Sequence, residues 1–144
     1  DANQTLHQHI NSVAIDRVIL QFPRYDNTTK PEMILLVNNA YYERAERDEI
    51  RKLWASKSES QMQKTGKSLV IFVVGRSTDL AEEAVTYGDL LQIDVDDTYR
   101  NTVYKIEAGL KWIEVYQNPE FVAKIDSDTV VHIDRLYERM QRYE

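Results

Sequence analysis

Hydrophobic residues in this chain gather into short, nearly unbroken runs separated by charged stretches with helical spacing. Met33 to Val37 is continuously apolar, which marks a central strand buried on both faces. Asn38 and Asn39 end it, and a charged, helix-favouring stretch follows from about Tyr42 to Lys57, with Ile50, Leu53 and Trp54 on one stripe. Leu69 to Val74 is a second apolar strand stopped by Gly75, and Asp79 to Val85 reads as a short acidic helix. Leu90 to Ile93 forms a third, shorter strand. The spacing predicts a longer helix over about Thr98 to Tyr116, with Tyr99, Val103, Ile106, Leu110 and Ile113 on its apolar face. Pro119 precedes the run Phe121 to Ile125, which drives into Asp126-Ser127-Asp128, and the β-branched Thr129-Val130-Val131 leaves it. Ile133, Leu136, Tyr137 and Met140 pattern a final helix.

Strand and helix thus alternate from residue 31 onward. That order predicts an α/β fold: a mostly parallel sheet with right-handed crossovers and helices on both faces. Residues 1–30 have no clean period and are set apart as a peripheral arm from the domain at 31–144. Within the arm, Leu6, Ile10, Val13 and Ile15 suit a short helix, Val18 to Leu20 a strand, and Pro23 to Lys30 a polar linker.

The totals narrow the function classes. At 144 residues there is room for one domain with a real core. A net charge of −6 provides no global field for nucleic acid or an anionic membrane. The absence of cysteine excludes a disulfide framework, a thiol nucleophile and a thiolate zinc site. No apolar run approaches the roughly 18 residues of a membrane span. The chain starts at Asp1, so an amino-terminal anchor or targeting segment is expected to have been removed. The sequons at Asn3 and Asn27 would matter only in a secretory protein.

Parallel sheets bind ligands along the carboxyl ends of their strands. There the chain carries Asn38-Asn39, Gly75-Arg76-Ser77, Asp94 to Asp97, and Asp126-Ser127-Asp128. Asp126 and Asp128 can converge on one hard cation, although Asp and Ser also mark ordinary turns and caps. Arg47 and Arg51 share a helix face and could reach a phosphate. On spacing alone they read rather as a solvated face pairing with Glu43, Glu46 or Asp48. Asp97 reads as a helix N-cap, His132 as a packed, hydrogen-bonded residue, and Trp54 and Trp112 as core. Glycine-rich phosphate loops and serine-histidine-acid catalysis have no support.

Five ordered blocks resemble the β1,3-galactosyltransferase family, which includes β1,3-N-acetylglucosaminyltransferases and, more distantly, the Fringe enzymes. They are ERDEIRKLW (Glu46 to Trp54), FVVG (Phe72 to Gly75), EEAVTYGDLLQIDVDDTYRNTVYK (Glu82 to Lys105), GLKW (Gly109 to Trp112) and FVAKIDSDTVVHID (Phe121 to Asp134). The resemblance implies a GT-A, Rossmann-like domain of a type II protein on the lumenal side of the Golgi membrane. It implies inverting β1,3 transfer from UDP-galactose or UDP-N-acetylglucosamine to a glycan acceptor on a glycoprotein or glycolipid. By position, Asp126 and Asp128 take the family's role of serving Mn²⁺ or Mg²⁺, with Asp128 the favoured direct ligand. Arg47, Arg51 and Ser127 join them on the donor side. Ser127 replaces the family's middle Asp, and His132 stands where Asn is usual. The acceptor-binding half and the general-base motif are expected beyond Glu144, so no catalytic base is assigned here. Two readings from other classes remain: a truncated, non-catalytic paralogue acting as a binding or partner subunit, and a receiver-type phosphoacceptor domain. Metal-dependent UDP binding separates the first, and labelling by a small phosphodonor the second.

Overall fold

A computed structural model describes residues 18–24 and 30–143. The expected helix over Leu6 to Ile15 and both sequons lie outside the described residues. The strands are β1 (Ile19–Gln21), β2 (Met33–Asn38), β3 (Ser68–Val74), β4 (Leu90–Ile93) and β5 (Phe121–Asp126). The helices are α1 (Arg44–Lys52), α2 (Gln61–Thr65), α3 (Ala81–Tyr87), α4 (Thr102–Tyr116) and α5 (Ile133–Gln141). They build the expected mixed α/β architecture.

The sheet order is β1-β4-β3-β2-β5, parallel except for β1, which runs antiparallel to β4 with Ile19 opposite Ile93. Part of the arm therefore completes the sheet, and Ile19 is buried in its core. The chain builds outward from β2 through β3 to β4, then crosses back to lay β5 on the other side of β2. That reversal makes the β2/β5 junction the topological switch point, where open α/β sheets form their ligand crevice.

Alternate strand residues feed two apolar layers, as strand geometry requires. On one side Leu35, Val37, Phe72 and Ile125 pack against Ile50, Trp54, Met62, Ala84 and Ile133 of α1, α2, α3 and α5 and the turn after α1. On the other, Ile34, Leu36, Ile71 and Leu91 pack against Ala108, Trp112 and Ile113 of α4. The two tryptophans are core residues, as their patterns imply.

Several local expectations change. The face of α4 turned to the sheet holds Lys105, Ala108, Gly109, Trp112 and Ile113, while Tyr99 and Val103 are 95% and 69% exposed. Small residues decide this, because a Cβ on Gly109 would meet Leu36 Cδ2 at 2.8 Å, showing how closely helix and sheet approach. The helix after β2 stops at Lys52, leaving Leu53 exposed, and a separate turn of helix follows. In α2, Ser60 caps the start, Gly66 ends it in the left-handed region at φ 76°, and Asp134 of α5 accepts the N–H groups of Gln61 and Met62. The β-branched run after Asp128 is irregular, and Val130 is 86% exposed. His132 is exposed rather than packed. It caps α5, its Nδ1 accepting the Arg135 N–H at 3.3 Å.

Candidate functional site

Asp126 ends β5 directly opposite Asn38, the last residue of β2, so both side chains lie on the same face at the switch point. A turn follows, in which Thr129 N–H donates to Asp126 O at 3.0 Å. Asp126 and Asp128 are exposed and Ser127 is half-buried. Lys124, two residues back on the same face, places Nζ 3.4 Å from Asp126 Oδ1, an exposed pair of little consequence for stability. Asn38 Oδ1 is buried and has no hydrogen-bond partner. Carboxylates such as Asp126 and Asp128 are the oxygen ligands that hard cations take. Among the described residues no three His, Asp or Glu side chains gather into a closed metal cage.

Arg47 is fully buried, and the structure accounts for all five of its N–H groups. Nε and Nη2 donate to the two oxygens of Glu83 at 2.6 and 2.7 Å. Nη1 donates to Asn39 Oδ1 at 2.5 Å and Ala40 O at 2.8 Å, and Nη2 also reaches Tyr41 O at 3.0 Å. No donor remains for a phosphate. Neither is the residue on a solvated face: its partner is Glu83, 36 residues away in α3, and not Glu43, Glu46 or Asp48.

Arg51 lies one turn further along α1. It binds Asp89 through two bonds of 2.8 Å, Glu83 at 2.7 Å and Asp48 at 2.9 Å, and stacks over Tyr87 at 3.9 Å. Burial opposes its charge, but the hydrogen bonds to Asp89 and Glu83 outweigh burial and raise its pKa. It borders a cleft of about 530 Å³ whose walls include Pro31, Gly66 and Ser68, at the amino ends of β2 and β3. As folded, the structure therefore does not bring Arg47 or Arg51 together with Asp126, Ser127 and Asp128. The reason is that both guanidinium groups meet carboxylates inside the fold. Burial pushes the Glu83 carboxyl up, yet the bonds from Arg47 and Arg51 hold it below the ordinary range.

Asp97 caps no helix of its own. Its side chain is 1% exposed and its Oδ2 accepts the N–H groups of Tyr41 at 2.7 Å and Gly75 at 2.8 Å. Its Oδ1 accepts from Lys105 Nζ at 2.6 Å, and the same ammonium donates to Asn39 O at 2.9 Å. Sequence reasoning missed this pair. The signal was present: Lys105 shares the α4 face of Ala108, Gly109 and Trp112, so its charge sits within the buried stripe.

Arg47, Lys105 and Asp97, with Glu43 Oε1 on Ala40 N–H and Val73 O on Asn39 N–H, satisfy every backbone polar group of Asn39, Ala40 and Tyr41. This rigid segment forms one wall of a polar cleft of about 150 Å³ with Asn38, Tyr42, Thr98 and Tyr99. The volume is below the roughly 300–1,000 Å³ of enclosed ligand pockets.

The galactosyltransferase family model matches residues 45–144. The chain is 31% identical to beta-1,3-galactosyltransferase 5 of Homo sapiens over 131 aligned residues, covering 85% of this chain and 41% of that protein. It is similar also to beta-1,3-galactosyltransferase bre-2 of Caenorhabditis elegans, at 31% identity over 73% of this chain and 32% of the relative. Beta-1,3-galactosyltransferase 4 of Rattus norvegicus is 27% identical over 86% of this chain and 35% of its own length. The chain spans less than half the length of these curated relatives.

Proposed function

The chain belongs to the galactosyltransferase family, and from that premise we propose that it forms the donor-binding part of a GT-A β1,3-glycosyltransferase. In this reading a UDP-sugar, UDP-galactose or UDP-N-acetylglucosamine, lies along the carboxyl edge of the sheet. Its sugar passes with inversion to a hydroxyl of a glycan on a glycoprotein or glycolipid, on the lumenal side of the Golgi membrane. The observation that carries the reading is the pairing of Asp126 with Asn38 across the switch point in a chain of this family.

Asp126 and Asp128 would hold Mn²⁺ or Mg²⁺. Bound there, the ion would neutralise diphosphate charge and stabilise the UDP leaving group. The chain's own residues do the rest of the binding work. Ser127 contributes a hydroxyl between the two carboxylates, where a third carboxylate would add repulsion. The braced Asn39–Tyr41 segment presents Asn38 and Tyr42 to the nucleotide. Arg47 and Arg51 act at one remove, by holding that segment and the helix behind it.

Paramagnetic Mn²⁺ added to the isotope-labelled chain with UDP tests this directly. The expected result is broadening of amide resonances centred on residues 126–129 and 38–40. Broadening centred on Asp94–Asp96 instead, or none with UDP present, would contradict it.

A further inference from the structure

Of the loops along the carboxyl edge, those after β2, β3 and β4 have no regular element joining them there. Arg76 N–H donates to Val95 O at 2.8 Å between the second and third, and one buried ion pair joins all three. Lys105 binds Asn39 O of the first loop and Asp97 of the third, and Asp97 in turn holds Tyr41 N–H of the first loop and Gly75 N–H of the second. The two side chains are 4% and 1% exposed. Glycine is required at position 75, because a Cβ would meet Asp97 Cγ at 2.7 Å and Val95 O at 2.6 Å.

A buried ion pair is a poor device for stability alone, since apolar residues of the same volume often serve as well. What it adds is direction. Its hydrogen bonds fix lengths and angles to groups on three separate segments, and the fixed segments carry the lining of the cleft. Without it, a ligand would have to order these loops on arrival, and that cost is subtracted from affinity.

We propose that Lys105 and Asp97 are positioning residues for the donor crevice, presetting the spacing of the three loops before a nucleotide arrives. The proposal rests on the carboxyl edge being the donor site. It does not require either residue to touch the ligand.

The test is the double variant Lys105→Met/Asp97→Ala, which removes both charges together with the acceptor of the Tyr41 and Gly75 N–H groups, so neither charge is stranded. Urea denaturation establishes that it folds, and Lys105→Gln with the same readouts takes its place if it does not. Two readouts follow: hydrogen exchange at the Tyr41 and Gly75 amides, and UDP affinity with Mn²⁺. The expected result is faster exchange at both amides together, unchanged exchange at Ile71 and Phe72 within β3, and affinity lower by roughly 10–100-fold. Unchanged exchange at Tyr41 and Gly75 would overturn the lock. Faster exchange with unchanged affinity would overturn the positioning role. A wild-type chain that binds no UDP would sink the donor reading, and the exchange data alone would then decide whether the lock exists.

Discussion

Arg47 and Glu83 form a two-bond ion pair at 2.6 and 2.7 Å, with side chains 0% and 2% exposed, joining α1 to α3 beneath the carboxyl edge. Arg44 also reaches Glu83, at 3.4 Å, but its side chain is 48% exposed. Burial decides what each is worth. Arg47→Met strands part of the Glu83 charge and takes the donor from two loop acceptors, Asn39 Oδ1 and Tyr41 O, so it should lower unfolding free energy by about 3–5 kcal/mol. Arg44→Ala should cost no more than about 1 kcal/mol. Urea denaturation of the two variants measures the contrast, and equal effects would contradict it.

Acid should weaken the fold through Glu83 and Asp134. Burial pushes both carboxyls up, but Arg47 and Arg51 hold Glu83 below its ordinary 4.5, and the Met62 and Gln61 N–H groups hold Asp134 below its ordinary 3.8. A depressed folded-state pKa gives stability that is present above the ordinary value and lost as pH falls through the folded one. Stability contributed by these groups should therefore hold steady from neutrality to about pH 5, then fall by up to about 1.4 kcal/mol per pH unit through Glu83 and by less through the more solvated Asp134. Glu83→Gln should be less stable at pH 7 and lose less on acidification. Parallel stability curves for variant and parent would refute the assignment.

The two tightly packed glycines should respond differently to alanine. At position 75 the new methyl would meet the Val95 carbonyl and the hydrogen-bonded Asp97 carboxylate, neither of which can move freely. A loss of about 1–3 kcal/mol is expected, as for an overpacked core. At position 109 the obstacle is the flexible end of Leu36, and alanine gains about 1 kcal/mol of helix propensity over glycine. Gly109→Ala should therefore be the milder change, and thermal unfolding of both variants will rank them.

How far the sequence discloses the molecule depends on which force fixes each residue. The runs Met33–Val37 and Leu69–Val74 are apolar on both faces, and only a central strand uses such a run, so sheet and class were legible. The place of Asp126 at the carboxyl end of its strand followed from the same pattern, whereas its place at the switch point depends on the strand order, which alternation alone does not fix. The sheet-facing side of α4 was not legible, because Ala108 and Gly109 carry almost no hydrophobic signal and yet permit the closest approach. His132 was misread because β-branched neighbours suggested a strand where the chain turns into a helix.

The charged residues were hardest to place. Arg47 and Arg51 look the same in spacing whether they face solvent, a phosphate or a carboxylate. Only the fold reveals Glu83 and Asp89 opposite them, 36 and 38 residues away. Asp97 has the local context of a helix cap, and its partners Tyr41 and Gly75 lie 56 and 22 residues away. Long-range ion pairs leave little trace in local sequence beyond a charge inside a buried stripe, as at Lys105.

The central claim is that Asp126 and Asp128 make the carboxyl edge a metal-dependent nucleotide site. Calorimetric titration of UDP into the chain, with Mn²⁺ and again with chelator, tests it against Asp128→Ala, an exposed substitution expected to shift stability by no more than about 0.5 kcal/mol. The account predicts binding by the parent chain only when metal is present, and none by the variant. Equal binding with and without metal, or undiminished binding by Asp128→Ala, would contradict it.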